Sequence, residues 1–274
     1  MKCKRFPRLI LLLTVLALLL AGAQTALAGD KARWPETGAI VWYDGKLKID
    51  ISHTSDGYFL AAVSSKTAKK LKLQVKMGDT KLNYDLNGEG QFEVIPLQLG
   101  SGYYSVSLYE NTSGSRYAAA GSLGITVALR QENIAFLYPN QYVNYTKDSG
   151  AVAQADALCA GVSTDKEAYV AVRDYMKTSF VYDFVKAITV TAGMLPDIDG
   201  CYQKRMGICQ DLAATMVCML RTQGVPSRMM IGYADKNYHA WTVTEIDGKL
   251  VLFDPTAALS AIAKPKSYDT ERFY

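Results

Sequence analysis

Histidine is scarce in this chain. Only His53 and His239 occur among 274 residues, so a catalytic zinc site, which usually draws on more histidine, has too few ligands to choose from. Five cysteines are present, none of them in a Cys-x-x-Cys spacing, and that removes the dithiol redox motif. A D-x-D-x-D-G run is missing, and "PDIDG" at Pro196 to Gly200 is too short to count as a calcium loop. There is no internal repeat and no low-complexity tract. Long apolar runs are also lacking, apart from one near the start.

That run belongs to "MKCKRFPRLILLLTVLALLLAGAQTALA", with a basic start, an apolar stretch from Leu9 to Leu20 and a small-x-small end at Ala26-Leu27-Ala28. It reads as a secretory signal peptide over residues 1–28, with cleavage expected after Ala28. The apolar part is short for a membrane span, and position 23 is alanine, which leaves no cysteine there for lipid attachment. The expected destination is secretion or the cell surface, with no stable membrane span after cleavage. The formal charge of +4 belongs to this leader, because it carries Lys2, Lys4, Arg5 and Arg8 and no acid. What remains has 26 basic against 26 acidic residues, so nothing in the charge favours nucleic acid. Cys3 leaves with the leader; Cys159, Cys201, Cys209 and Cys218 stay.

From Gly38 to about Arg130 short alternating runs are separated by turn signals. "AIVWYDGKLKIDIS" is two such runs around Asp44-Gly45, a hairpin signature. "GYFLAAVSS", "KKLKLQVKM", "TKLNYDL", "QFEVIPLQ", "YYSVSLYE" and "SLGITVAL" follow, and strands at that spacing predict a β-sandwich over residues 29–130. Its tyrosines, Tyr103, Tyr104, Tyr109 and Tyr117 among them, are expected to pack against cross-strand neighbours. Residues 131–150, "QENIAFLYPNQYVNYTKDSG", read as a linker before a second domain over residues 151–274. There the period becomes helical: Thr164 with Glu167 three residues on forms a capping box ahead of "EAYVAVRDYMKTSF".

The stretch "GICQDLAATMVCMLRTQGVP" predicts a helix starting at Cys209 and stopped by Gly224 and Pro226. Leu212 to Leu220 carries no charge, and such a helix lies buried at the centre of its domain. Cys218 falls in that run and reads as a small apolar filler. Cys209 stands at the helix start, where unpaired N–H groups and the macrodipole favour a thiolate. A thiolate is a nucleophile for amide chemistry, and the same N–H groups suit an oxyanion.

A nucleophile of this kind needs a base. "HAWTVTEIDGKLVLFDPT" reads as a hairpin turning at Asp247-Gly248, so opposed residues have numbers summing to a constant set by Ile246 and Lys249. His239 then faces Thr256, with Asp254 its diagonal neighbour on the same face, about 7–8 Å away and within side-chain reach. The roles that follow are attack by Cys209, proton transfer by His239, and orientation of the imidazole by Asp254.

These residues resemble the transglutaminase-like superfamily. The segment "GICQDLAATMVCMLRTQGVPSRMMIGY", then "HAW", then "DPT" carries the resemblance over about Thr164 to Thr256, and "FVYDF" at Phe180 to Phe184 is similar to an aromatic-Asp segment of bacterial members. The resemblance implies a papain-like α+β core, with a buried central helix packed on an antiparallel sheet, here preceded by the all-β sandwich. It also implies a Cys-His-Asp triad at Cys209, His239 and Asp254, no metal and no cofactor, and acyl transfer through a thioester to an amine or water. Papain-like enzymes often place a glutamine before the cysteine as an oxyanion donor, which points to Gln203; members that use an aromatic instead make Tyr202 its rival. Trp241 shares a face with His239 and is a candidate shield for the pair. The expected substrate is a peptide or protein, with cell-wall peptides among the candidates. The competing class is a non-catalytic cell-surface binding or scaffold protein that keeps the fold.

Overall fold

The computed structural model describes residues 31–259 and 264–274; the leader expected over residues 1–28 lies outside them. Two four-stranded antiparallel sheets form first. One has the order β1 (Val41–Asp44), β2 (Leu47–Asp50), β3 (Tyr58–Val63), β6 (Glu93–Pro96). The other runs β5 (Thr80–Leu86), β4 (Leu71–Met77), β7 (Gly102–Ser113), β8 (Arg116–Val127). The period of two decides which side chains enter the core. Leu71, Leu73 and Val75 of β4 and Tyr104, Val106 and Leu108 of β7 are buried while their neighbours face out. Tyr104 is thus core, whereas Tyr103 is exposed.

Strand β3 is buried on both faces. Its outer side chains Tyr58 and Leu60 pack with Ile134, Leu137 and Tyr138. The stretch expected as a linker therefore covers a sheet, and its Val143 and Tyr145 join the main core. One contiguous core runs from the sandwich into the second half of the chain, because three tyrosines and a glutamine tie the two together. Tyr142 stacks on Tyr274 at 3.6 Å between ring centroids, Tyr84 meets Tyr274 edge-on, and the Tyr84 hydroxyl donates to Gln98 Oε1 at 3.1 Å. Gln98 in turn donates to the Phe273 carbonyl.

The second half contains α1 (Gly150–Leu158), α2 (Asp165–Ser179), β9 (Val181–Tyr182), α3 (Phe184–Thr189), α4 (Ile198–Lys204), β10 (Met206–Gly207), α5 (Cys209–Thr222), β11 (Ser227–Ala234), β12 (Asn237–Ile246), β13 (Lys249–Phe253), α6 (Pro255–Ala258) and β14 (Tyr268–Phe273). The capping box forms at α2: Thr164 Oγ1 accepts from the Glu167 N–H at 3.2 Å and Glu167 Oε2 accepts from the Thr164 N–H at 3.1 Å. Helix α5 is buried all round from Asp211 to Thr222, as its uncharged run from Leu212 to Leu220 requires. It lies against an antiparallel sheet of order β13-β12-β11-β14. Mixed α/β organisation with a buried helix on an antiparallel sheet is the fold of this half, and the sandwich precedes it.

The end of α5 is fixed by Arg221, which is fully buried. Its Nε donates to the Ser227 carbonyl at 2.9 Å and its Nη1 to the Tyr138 carbonyl at 2.7 Å. One guanidinium thus joins the helix end, the start of β11 and the segment that covers β3. The four cysteines among the described residues are all free thiols.

Candidate active site

Cys209, the candidate nucleophile, is positioned by a short parallel pairing. Strands β9 and β10 set Tyr182 opposite Gly207, two residues before Cys209. Gly207 has no room for a side chain, since an added Cβ would stand 2.7 Å from Cys201 Sγ and 2.8 Å from Asp211 Cβ. Ile208 is extended, and the helix begins at once with Cys209. The first helical N–H groups have no acceptor within the helix. Asp211, fully buried in the first turn, accepts from the Ile208 N–H at 3.1 Å, the Asp197 N–H at 3.0 Å and Lys186 Nζ at 2.6 Å. This carboxylate fastens the start of α5 to α3 and α4, so the backbone around Cys209 is held from three sides.

His239, the candidate base, lies on the neighbouring sheet. Asp247 and Gly248 both adopt positive φ, 51° and 71°, the conformation of a tight two-residue hairpin turn. Thr242 pairs Phe253 and Ile246 pairs Lys249, the register expected from that turn. Beyond its end, His239 Nε2 donates to Asp254 Oδ2 at 2.9 Å; a carboxylate only accepts, which fixes the direction. With Nε2 taken, Nδ1 is the other ring nitrogen, and His239 and Cys209 line the same cleft.

Asp254 is the best-anchored member. Its Oδ1 caps α6 by accepting from the Ala257 N–H at 3.0 Å, and its Oδ2 accepts from His239 and from the Tyr268 hydroxyl at 2.9 Å. Burial works against its ionised form, yet these hydrogen bonds, led by that of His239, hold the carboxyl below its usual range. Burial likewise opposes protonation of His239, but the adjoining Asp254 carboxylate, with the Cys209 sulfur in its ionised form, outweighs it and pushes the imidazole up to about 9. Trp241 is buried, its ring nearly parallel to that of His239 at 6.5 Å and packed on Tyr268 at 5.0 Å. It walls off the back of the imidazole.

Gln203 and Tyr202 are not brought to this place. Both lie on α4, where Gln203 faces solvent. Tyr202 is turned toward α1: its hydroxyl donates to Gln154 Oε1 at 3.3 Å, its ring edges Gly150, and Arg205 stacks over it at 3.8 Å. The aromatic that stands at the site is Tyr182, in "FVYDF". It lines the cavities on both sides of His239, and burial, with the Cys209 sulfur beside it, pushes its hydroxyl up to about 12. A neutral O–H donor is what that environment maintains. The sequence marks "FVYDF" without giving Tyr182 a role and carries no signal for Tyr268; the β9–β10 pairing gives Tyr182 a physical reason to be at the site.

Cys209 and His239 open onto a cleft of about 740 Å³, large enough for a peptide segment. One wall is the chain from Ala187 to Leu195; another is the outer face of β4 and β5 in the sandwich. A second cavity of about 360 Å³ meets His239 and Asp254 from the other side. No group of three or more metal-ligating side chains occurs among the described residues.

A buried helix presenting a cysteine to a histidine-carboxylate pair on an adjacent sheet defines a papain-like cysteine-enzyme core. Residues 152–255 match the model of the Transglutaminase-like superfamily. Solved structures similar to the chain include a candidate cysteine protease from Cytophaga hutchinsonii, at 16% identity and TM-score 0.40, covering 71% of this chain and 69% of that one. The periplasmic domain of TgpA from Pseudomonas aeruginosa is similar at 16% identity and TM-score 0.37, over 81% and 78% of the two chains. Red sea bream transglutaminase follows at 10% identity and TM-score 0.30, over 72% and 48%. No curated protein matches the chain. No helix among the described residues is long and apolar enough to cross a membrane.

Proposed function

We propose that the protein is an exported cysteine-dependent acyltransferase or hydrolase that opens amide bonds of peptides or proteins through a thioester. The observation that carries this reading is that His239, bonded to Asp254 at 2.9 Å, lines the same cleft as Cys209 at the start of a buried helix. The Cys209 thiol gives its proton to His239 as the sulfur bonds to the amide carbonyl carbon, and the carbonyl oxygen gains charge beside the N–H groups at the start of α5 and the Tyr182 hydroxyl. The C–N bond then breaks, and the His239 imidazolium gives its proton to the departing amine. Water or a second amine next loses a proton to His239, bonds to the thioester carbon and releases the sulfur. Asp254 keeps the ring oriented throughout.

Transfer and hydrolysis share the first half of that sequence and part only at the acceptor. Mass spectrometry of the products formed from a mixed peptide library and a primary amine separates them. Amine-adducted peptides mark transfer; shortened or deamidated peptides mark hydrolysis. Unchanged peptides with both acceptors present count against the reading and for a scaffold that keeps the fold.

A further inference from the structure

The cleft that receives Cys209 ends on the sandwich. Its far wall is the outer face of β4 and β5, with Lys72, Asn83 and Asp85, joined by Tyr142, Tyr238 and Arg272 from the other half. Most charges there are already matched. Lys72 Nζ sits 2.6 Å from Asp85 Oδ1, and that pair neutralises itself.

Arg272 is different. It stands on the edge strand β14, opposite Ile231, which in turn pairs Ala240 next to His239. Its Nη2 donates to the Tyr238 hydroxyl, and the ionisable side chains acting on it are the tyrosines Tyr274, Tyr238 and Tyr142. None of the salt bridges among the described residues includes it. A guanidinium is permanently charged and shaped to take a carboxylate through two parallel N–H bonds. Two strand spacings of about 4.8 Å separate its backbone from Ala240, and Arg272 lines the same cleft as Cys209 and His239.

We infer that Arg272 and the sandwich wall form a subsite for a carboxylate, so that the peptide preferred by this cleft is acidic. The inference rests on the proposed chemistry at Cys209 and names its substrate class. The sandwich then has a defined part in recognition: it closes the cleft at the cation's end. The Gln141 side chain bonds both backbone polar groups of Asp85, its Oε1 accepting from the N–H at 3.2 Å and its Nε2 donating to the carbonyl. This bond pair, with the Tyr84–Tyr142–Tyr274 cluster, fixes the wall relative to the site.

The test measures alkylation of Cys209 by iodoacetamide in the full chain while peptide pools compete. In one arm the pools are end-capped and identical except for Asp against Asn. In the other the peptides carry Asn and differ only in a free against an amidated C-terminus. The acidic pool of at least one arm is expected to protect Cys209 at about tenfold lower concentration than its neutral match. Arg272→Gln is expected to bring the two to within about twofold, with Arg272→Lys between, while the alkylation rate without peptide stays unchanged. The arm that responds identifies the carboxylate as side-chain or terminal. Equal protection in both arms, or a preference that survives Arg272→Gln, overturns the subsite. Absence of alkylation before any peptide is added overturns the nucleophile itself and the subsite with it.

Discussion

Tyr268 donates its hydroxyl to Asp254 Oδ2, the same oxygen that holds His239 Nε2, and both bonds are 2.9 Å long. A residue from the last strand thus shares the carboxylate that orients the base. Removing that hydroxyl leaves the ring free to swing while the charge remains. Tyr268→Phe is expected to lower kcat/KM on any peptide substrate by about tenfold with KM little changed, the size expected for one charge-assisted hydrogen bond.

Exchanging the carboxylate itself has a larger effect. Asp254→Asn keeps the shape but favours the wrong imidazole tautomer, and a drop in kcat of about 10³–10⁴-fold is expected. Steady-state kinetics beside an unfolding curve separates this from loss of the α6 cap. A drop below tenfold would mean that the ring is oriented by other contacts.

The site also predicts a pH dependence of stability. The folded-state value of His239 is raised to about 9 from 6.5. Its contribution is therefore fully present below pH 6.5 and lost as pH climbs through about 9. Asp254 is lowered from 3.8, so its contribution is present above that value and disappears as pH falls through the depressed one. Urea midpoints of the wild type are expected to decline on the alkaline side between pH 6.5 and 9, and His239→Ala is expected to flatten that limb.

Asp211 has no reacting partner yet holds three. With the carboxylate gone, Lys186 and the N–H groups of Ile208 and Asp197 lose their acceptor. Asp211→Ala is expected to cost about 3 kcal/mol in unfolding free energy. A loss below 1 kcal/mol, measured by urea denaturation, would mean that these groups find water instead.

Much of this geometry was written locally. The Asp247-Gly248 turn sets the β12–β13 register, and the register alone brings His239 and Asp254 together. The uncharged run after Cys209 makes α5 a buried helix whose start must surface at the cleft. What escaped was long-range. Tyr268 reaches Asp254 only because β14 adds to the sheet beside β11, and the polar alternation of "YDTERF" gives no sign of an edge-strand partner. Residues 131–150 look polar enough for a connector, but Ile134, Phe136, Leu137 and Tyr138 supply the surface that β3 needs covered. Gln203 and Tyr202 were placed by analogy with other folds of this kind. The α4 helix and the left-handed turn at Arg205 direct them elsewhere.

The central claim is that one thiol of the four among the described residues is activated by its neighbours. Iodoacetamide labelling near neutral pH, read by peptide mass mapping, tests it most directly. Cys159, Cys201 and Cys218 are buried, and burial raises all three thiols. Cys209 alone is expected to label in the native protein, and His239→Ala is expected to slow that labelling at least about tenfold. Equal labelling of all four cysteines, or a Cys209 rate indifferent to loss of His239, would contradict the account.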